Sequence, residues 1–178
     1  MSFDSQYAFN HFYEILQAAP VAVLVTVVSA FLGLFGGMLF CVVRLRRIPV
    51  LNTIVGLLVS LIRSTPILVQ LYVVCYGMPR IVAFVHQNPK FVSNVTIYPN
   101  TVAIVTFTLY ASAYFCEIFR SAYFTVGEGQ RESIKSLNLP AVHAVSRIII
   151  PQAAINAVPN ISNSVIDICL LYTSDAAD

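Results

Sequence analysis

Histidines, cysteines and carboxylates supply most protein chemistry, and in this chain they are scattered. His11, His86 and His143 lie far apart, and Cys41, Cys75, Cys116 and Cys169 share no Cys-x-x-Cys spacing. Neither set has the pattern of a zinc site or a redox pair, so no metal is expected. Each histidine is expected to be exposed or locally hydrogen-bonded, and each cysteine to act as a small buried hydrophobe. The sequence contains no Gly-x-x-x-x-Gly-Lys-Ser/Thr loop, so the chain is expected neither to bind nor to hydrolyse ATP. No nucleophile stands beside a base, which leaves covalent catalysis without a candidate.

The residues with chemical promise are charged and polar groups set in apolar surroundings. Arg63 interrupts an apolar run, Glu117 and Arg120 are three apart at the end of another, and Asp167 falls within VIDICLL. A charge in hydrocarbon is costly and is expected to face a cavity or a partner group. Arg63 has two readings. In one it snorkels to the headgroups from a near-surface helix; in the other it lies inside a helical bundle, paired with a carboxylate or a carbonyl. Glu117 and Arg120 share a helix face and suit a structural or interfacial pair. Asp167 can meet a substrate ammonium, Arg63 or headgroup water. Thr65, Gln70 and Asn163 are pathway candidates on polarity, although such groups more often bond between helices.

The elements that position these groups follow from composition. Hydrophobic residues make up 58% of the 178 and charged residues only 10%, whereas a soluble domain needs roughly 25% charged. A chain this short cannot hide so much apolar side chain in one aqueous core, but a hydrocarbon solvent removes the need. The net charge of +2, with no basic groove, gives no sign of nucleic-acid binding. Four spans are expected, over about 18–43, 50–76 (with or without a break at 63–66), 101–119 and 156–171. The first is uncharged, and Ser29, Gly33 and Gly37 give it a stripe for close helix approach. With Asp4 and Glu14 but no Lys or Arg, the first twenty residues make a poor signal peptide, so this span is expected to stay in the mature protein. Residues 77–100 read as a loop.

Basic residues set the orientation. Arg44, Arg46, Arg47, Arg120, Arg131, Lys135 and Arg147 follow the first and third spans, against Arg80 and Lys90 between the second and third. This asymmetry places residues 120–150 in the cytoplasm and the amino terminus outside. Within that loop, Gln130 to Leu137 is expected to be a short helix stopped at Asn138. A second short helix is expected from Ala141 to Ile149, ending before Pro151. The pair makes a rigid knob that can transmit a push from a cytoplasmic partner.

Four segments resemble the permease subunits of ABC importers for polar amino acids (histidine, glutamine, arginine and cystine types). The family's cytoplasmic loop pattern, Glu-Ala-Ala, three residues, Gly, nine residues, Ile, one residue, Leu-Pro, falls on Glu132-Ser133-Ile134, Asn138, Ile148 and Ile150-Pro151. Arg63-Ser64-Thr65-Pro66-Ile67-Leu68-Val69-Gln70 is similar to its Arg-Gly-Thr-Pro-Leu-Leu-Val-Gln. Cys116-Glu117-Ile118-Phe119-Arg120 resembles Ala-Glu-Ile-Phe-Arg, and Ile150-Pro151-Gln152-Ala153 resembles Leu-Pro-Gln-Ala. Asn138 replaces the loop glycine yet tolerates a left-handed backbone.

The resemblance implies an all-α, polytopic permease of type I importer form, one membrane domain over 1–168 with about four of five expected transmembrane helices. It implies a bacterial plasma (inner) membrane and alternating access without covalent chemistry. The implied partners are an ATP-binding cassette subunit that holds ATP and Mg, a second permease chain, identical or related, an extracytoplasmic solute-binding protein, and membrane lipid. Gly129, Glu132, Ser133, Ile134, Leu137, Asn138, Ile148 and Pro151 are the expected coupling-loop residues. Arg63, Thr65, Gln70, Glu117, Asn163 and Asp167 are the pathway candidates. The ending CLLYTSDAAD departs from the family and resembles adapter read-through, so residues 169–178 are expected to be foreign. An ion-coupled secondary transporter or small channel is the alternative; it predicts paired carboxylates deep in several spans and no docking loop.

Overall fold

An uncharged apolar run satisfies its backbone most simply as a helix, and the apolar runs of the described chain follow that rule. A computed structural model describes residues 5–85, 98–137 and 140–175. Helix α1 covers Ser5–Leu45, α2 Leu51–Ser64, α3 Ile67–Val85, α4 Pro99–Thr125 and α5 Glu128–Ser136. Helix α6, Ala141–Ala144, continues through a π-helical turn, Val145–Ile149, into α7, Ile150–Asp175. The described residues form no strand.

Two stretches, Ala19–Leu45 and Pro99–Thr125, are long and apolar enough to cross a membrane alone. A third is the broken pair Leu51–Ser64 and Ile67–Ile81, bent by 113°. The fourth expected span lies within α7, which does not reach the same apolarity among the described residues. Asn156, Asn160, Ser162, Asn163, Ser164 and Asp167 are the reason.

Helix α4 is the hub, packed by α1, α2, α3 and α7. Its Phe107 and Phe115 are buried with Val25 of α1 and Ile168 of α7. The α1–α4 seam is made of small residues. A Cβ on Gly37 would stand 2.6 Å from that of Phe115, and one on Gly33 or Gly36 would strike Ala111 or Ser112. Ser29, fully buried, donates to the Ile104 carbonyl at 3.4 Å. Buried Ser29, Thr26 and Ser112 contrast with Phe31, Phe35, Met38 and Leu39, each more than half exposed on the outer side of α1. Small polar residues inside and large apolar ones outside suit hydrocarbon as the solvent.

Two joints depart from plain helix. Between α1 and α2, Val50 has φ 68° and ψ −58°, and the Leu51 N–H bonds the Pro49 carbonyl at 2.8 Å. That is a γ-turn centred on a β-branched residue, an unfavourable backbone. Between α2 and α3, Pro66 has no N–H for the Ile62 carbonyl, and the Gln70 side chain donates to it instead, at 2.7 Å. Gln70 also donates to the Thr65 carbonyl and hydroxyl, both at 3.0 Å.

Three sequence expectations are corrected. Helix α3 runs past Gly77 to Val85, carrying Pro79 inside it; the apolar IVAFV continues the helix instead of opening a loop. Helix α4 extends six residues beyond 119. Most consequentially, the chain does not stop before Pro151. The Ile150 N–H bonds the Val145 carbonyl, five residues back, and Pro151 enters the first turn of α7. A proline there lacks only a donor that a wider turn does not require.

Candidate functional site

Three membrane helices bring charge to one place. Arg44, in the last turn of α1, donates through Nη1 to Glu117 Oε1 on α4, and Arg120 Nη1 approaches Glu117 Oε2 at 3.4 Å. The expected Glu117–Arg120 pair is therefore one arm of a three-residue cluster. Arg44 and Glu117 are 18% and 23% exposed, enough shielding to make the pairing matter more than on an open surface. Arg44 was read from sequence only as a topology signal. Its partner lies 73 residues away, beyond the reach of local spacing.

Arg63 is the penultimate residue of α2, just before the break. Its guanidinium carbon stands 5.3 Å from the centroid of the Tyr114 ring on α4. Arg63 is exposed, and its neighbour is a ring and not the carboxylate or carbonyl of the bundle reading. A guanidinium over a ring face gains from the ring quadrupole, which helps to hold it against α4.

Beside this pair lies a cavity of about 450 Å³. Arg63, Tyr114, Glu117 and Ser121 line one side, and Asn160, Asn163 and Ser164 of α7 line the other. That volume is within the usual range for small-molecule pockets. A cavity next to a discontinuous helix is a recurring arrangement for solute and ion sites in transporters.

Of the six pathway candidates, Arg63, Glu117 and Asn163 line this cavity. Thr65 and Gln70 do not: they brace the break, with the Thr65 hydroxyl also donating to the Leu61 carbonyl at 2.9 Å. Asp167 is exposed, one turn beyond Asn163 and Ser164, and within electrostatic reach of Tyr110. The Tyr110 and Tyr114 rings are 4.3 Å apart by centroid. Sequence reasoning missed Tyr114, Ser121, Asn160 and Ser164. A signal was present in α7, where Asn156, Asn160, Asn163, Ser164 and Asp167 recur at three- and four-residue steps.

The loop residues lie apart from the cavity. Gly129, Glu132 and Ser133 are exposed on α5, Ile134 is half-buried, and Leu137 follows the helix with 69% of its surface open. Helix α5 makes no extensive contact with another described helix. Asn138 lies outside the described residues. Ile148 is half-buried in the π-helical turn and Pro151 is exposed at the start of α7. His143 is exposed, Cys41 and Cys116 are buried, and Cys75 and Cys169 are half-buried. Among the described residues no group of His, Cys, Asp and Glu has the makings of a metal site.

The family described as binding-protein-dependent transport system inner membrane component matches residues 30–174. A probable amino-acid permease protein of Bacillus subtilis (strain 168), YxeN, is 32% identical over 163 residues, covering 92% of this chain and 69% of that protein. The L-cystine transport system permease protein TcyL of the same organism is 32% identical over 147 residues, covering 83% of this chain and 59% of that protein. The chain thus spans between 59% and 69% of the length of these two relatives. A solved structure described as an amino acid ABC transporter with histidines superposes with a TM-score of 0.81 at 22% identity, over 100% of this chain and 78% of that one. At that identity the likeness is one of fold.

Proposed function

The chain belongs to the family of inner-membrane components of binding-protein-dependent transport systems, and on that premise we propose that it is the membrane subunit of an ATP-driven importer of polar amino acids. The observation that carries this reading is the cavity between α4 and α7, polar and charged within an apolar bundle and set beside a broken helix. Arg63, Glu117 and Asn163 would face the solute there, with Asp167 one turn further along. Thr65 and Gln70 serve the path by shaping the break.

In this reading a second permease chain, identical or closely related, completes the passage, and an extracytoplasmic binding protein delivers the solute. An ATP-binding cassette subunit holds ATP and Mg and grips the loop around α5. Glu132, Ser133 and Leu137 offer it open side chains, and Gly129, Ile134, Asn138, Ile148 and Pro151 shape the knob. The basic residues of the loop favour a cytoplasmic position for 120–150, with the amino terminus outside, in a bacterial plasma membrane.

The test is transport by the complete complex. The full-length permease, its ATP-binding subunit and its binding protein, placed in liposomes, should take up a radiolabelled polar amino acid only with ATP inside and binding protein outside. Uptake driven by an ion gradient without ATP would overturn this reading in favour of an ion-coupled transporter.

A further inference from the structure

The cavity carries an unbalanced charge. Glu117, the carboxylate on its lining, is engaged by Arg44 and Arg120. Arg63, on the same lining, has the Tyr114 ring as its neighbour, and among the described residues no carboxylate forms an ion pair with it. Asn160, Asn163, Ser164 and Ser121 complete the surface with neutral donors and acceptors. An exposed guanidinium in a membrane-spanning chain calls for an anionic partner or for water, and its planar fork fits a carboxylate through two parallel bonds. We propose that Arg63 receives the α-carboxylate of the transported amino acid and that the cavity selects uncharged or acidic side chains over lysine and arginine. This rests on the importer reading above.

The selection follows from what remains once the carboxylate is seated. The α-ammonium, on the same carbon, has the amide and hydroxyl oxygens of Asn163 and Ser164 within the lining, and Asp167 one turn along α7. A neutral polar side chain has amides and hydroxyls to bond. A lysine or arginine side chain would bring a second cation to a surface whose one carboxylate is already held by two guanidinium groups, and Arg63 would repel it. A lipid phosphate offers Arg63 the same oxygen chemistry, so the experiment must separate the two sources.

The complete transporter in phosphatidylcholine liposomes, with and without added phosphatidylglycerol, is assayed with radiolabelled amino acids one at a time. Wild type should prefer a neutral or acidic amino acid, and the α-amide of that substrate should fail to compete. Arg63→Gln should raise the KM for uptake roughly 10- to 100-fold, the loss expected for a charge-assisted bond. Arg63→Lys, which keeps the charge and loses the fork, should recover part of it. The substrate's affinity for the isolated binding protein should be unchanged. A KM for Arg63→Gln within about twofold of wild type overturns the assignment, the loss expected of a carboxylate contact being far larger. So does equal competition by the α-amide, a preference for lysine or arginine, or an Arg63→Gln effect seen only with phosphatidylglycerol, which would give Arg63 to lipid. Should Arg63→Gln fail to assemble, the α-amide and side-chain comparisons on wild type decide alone. ATP-dependent uptake of no amino acid by wild type removes the importer reading and this one together, whereas normal uptake indifferent to Arg63 removes only this one.

Discussion

The side-chain amide of Gln70 donates to the carbonyl of Ile62, the acceptor that Pro66 leaves without its backbone donor. One side chain thus repairs a defect eight residues away and holds the 113° bend between α2 and α3. Gln70→Leu should lower the stability of the purified complex by about 0.5–1.5 kcal/mol, the net worth of a hydrogen bond, since the Thr65 hydroxyl still reaches the Ile62 carbonyl at 3.3 Å. Restoring an N–H with Pro66→Ala in the same chain should recover part of the loss. Thermal unfolding in detergent reads both, and a Gln70→Leu protein as stable as wild type would falsify the repair.

Glycines of the same chain should respond in opposite directions. Gly37→Leu drives a side chain into Phe115 and the Cys116 backbone, so α1 and α4 must part and the yield of folded protein should collapse. Gly56 has nothing within 4 Å of an added Cβ. Gly56→Ala should leave folding intact and gain about 0.5–1 kcal/mol of helix stability. Size-exclusion profiles and melting curves distinguish these outcomes.

Glu117→Gln leaves Arg44 and Arg120 facing each other without a carboxylate. We expect a loss of about 1–2 kcal/mol, below the range for fully buried pairs because both partners keep some exposure. The double change Arg44→Met with Glu117→Met should be milder than Glu117→Gln alone, since it leaves one fewer uncompensated charge. A double-mutant cycle on thermal stability checks this, and strict additivity would show that the pair is not coupled.

Glu132→Lys should weaken copurification of the ATP-binding subunit and uncouple ATP hydrolysis from uptake, while the melting temperature of the permease stays within a degree or so. Glu132 is exposed on a helix with little support from the rest of the bundle, so its removal has little to destabilise. Unchanged complex yield together with unchanged uptake rules out the docking role.

Val50→Gly should stabilise the α1–α2 joint. A valine at φ 68° carries backbone strain of about 1–3 kcal/mol, partly offset in the glycine variant by a more flexible unfolded chain. The net gain should be about 1 kcal/mol, read as a higher melting temperature; a lower one would show that the valine side chain contributes more than its backbone costs.

Much of this was legible in the residues themselves, and the illegible part has a common cause. The uncharged run before Arg44 and the apolar run before Glu117 declare their helices, because nothing but a helix satisfies a backbone in hydrocarbon. Pro66, following Thr65, marks the break, and the Ser29–Gly33–Gly37 stripe marks the face that α4 covers. Relationships between distant segments were hidden. Arg44 reads as a topology signal until Glu117 is beside it, and Asn160 and Ser164 read as ordinary polar residues until α7 lies along α4. Pro151 misled for a different reason. A proline is a stop signal in the middle of a helix and a harmless opening residue in its first turn, and the letters around it do not say which turn it occupies.

The glycine seam has a mechanical corollary. Where backbones touch through hydrogen and first carbons alone, there is no flexible side chain to cushion a slide, so α1 and α4 can only travel together, as a single spar. Any swing of the subunit then falls to joints outside that seam, among them the elbow at Thr65–Pro66 and the loosened coil at Val145–Ile149. The elbow borders the charged cavity and the coil adjoins the exposed hairpin, which sets the moving parts at the two places where cargo and engine would be felt.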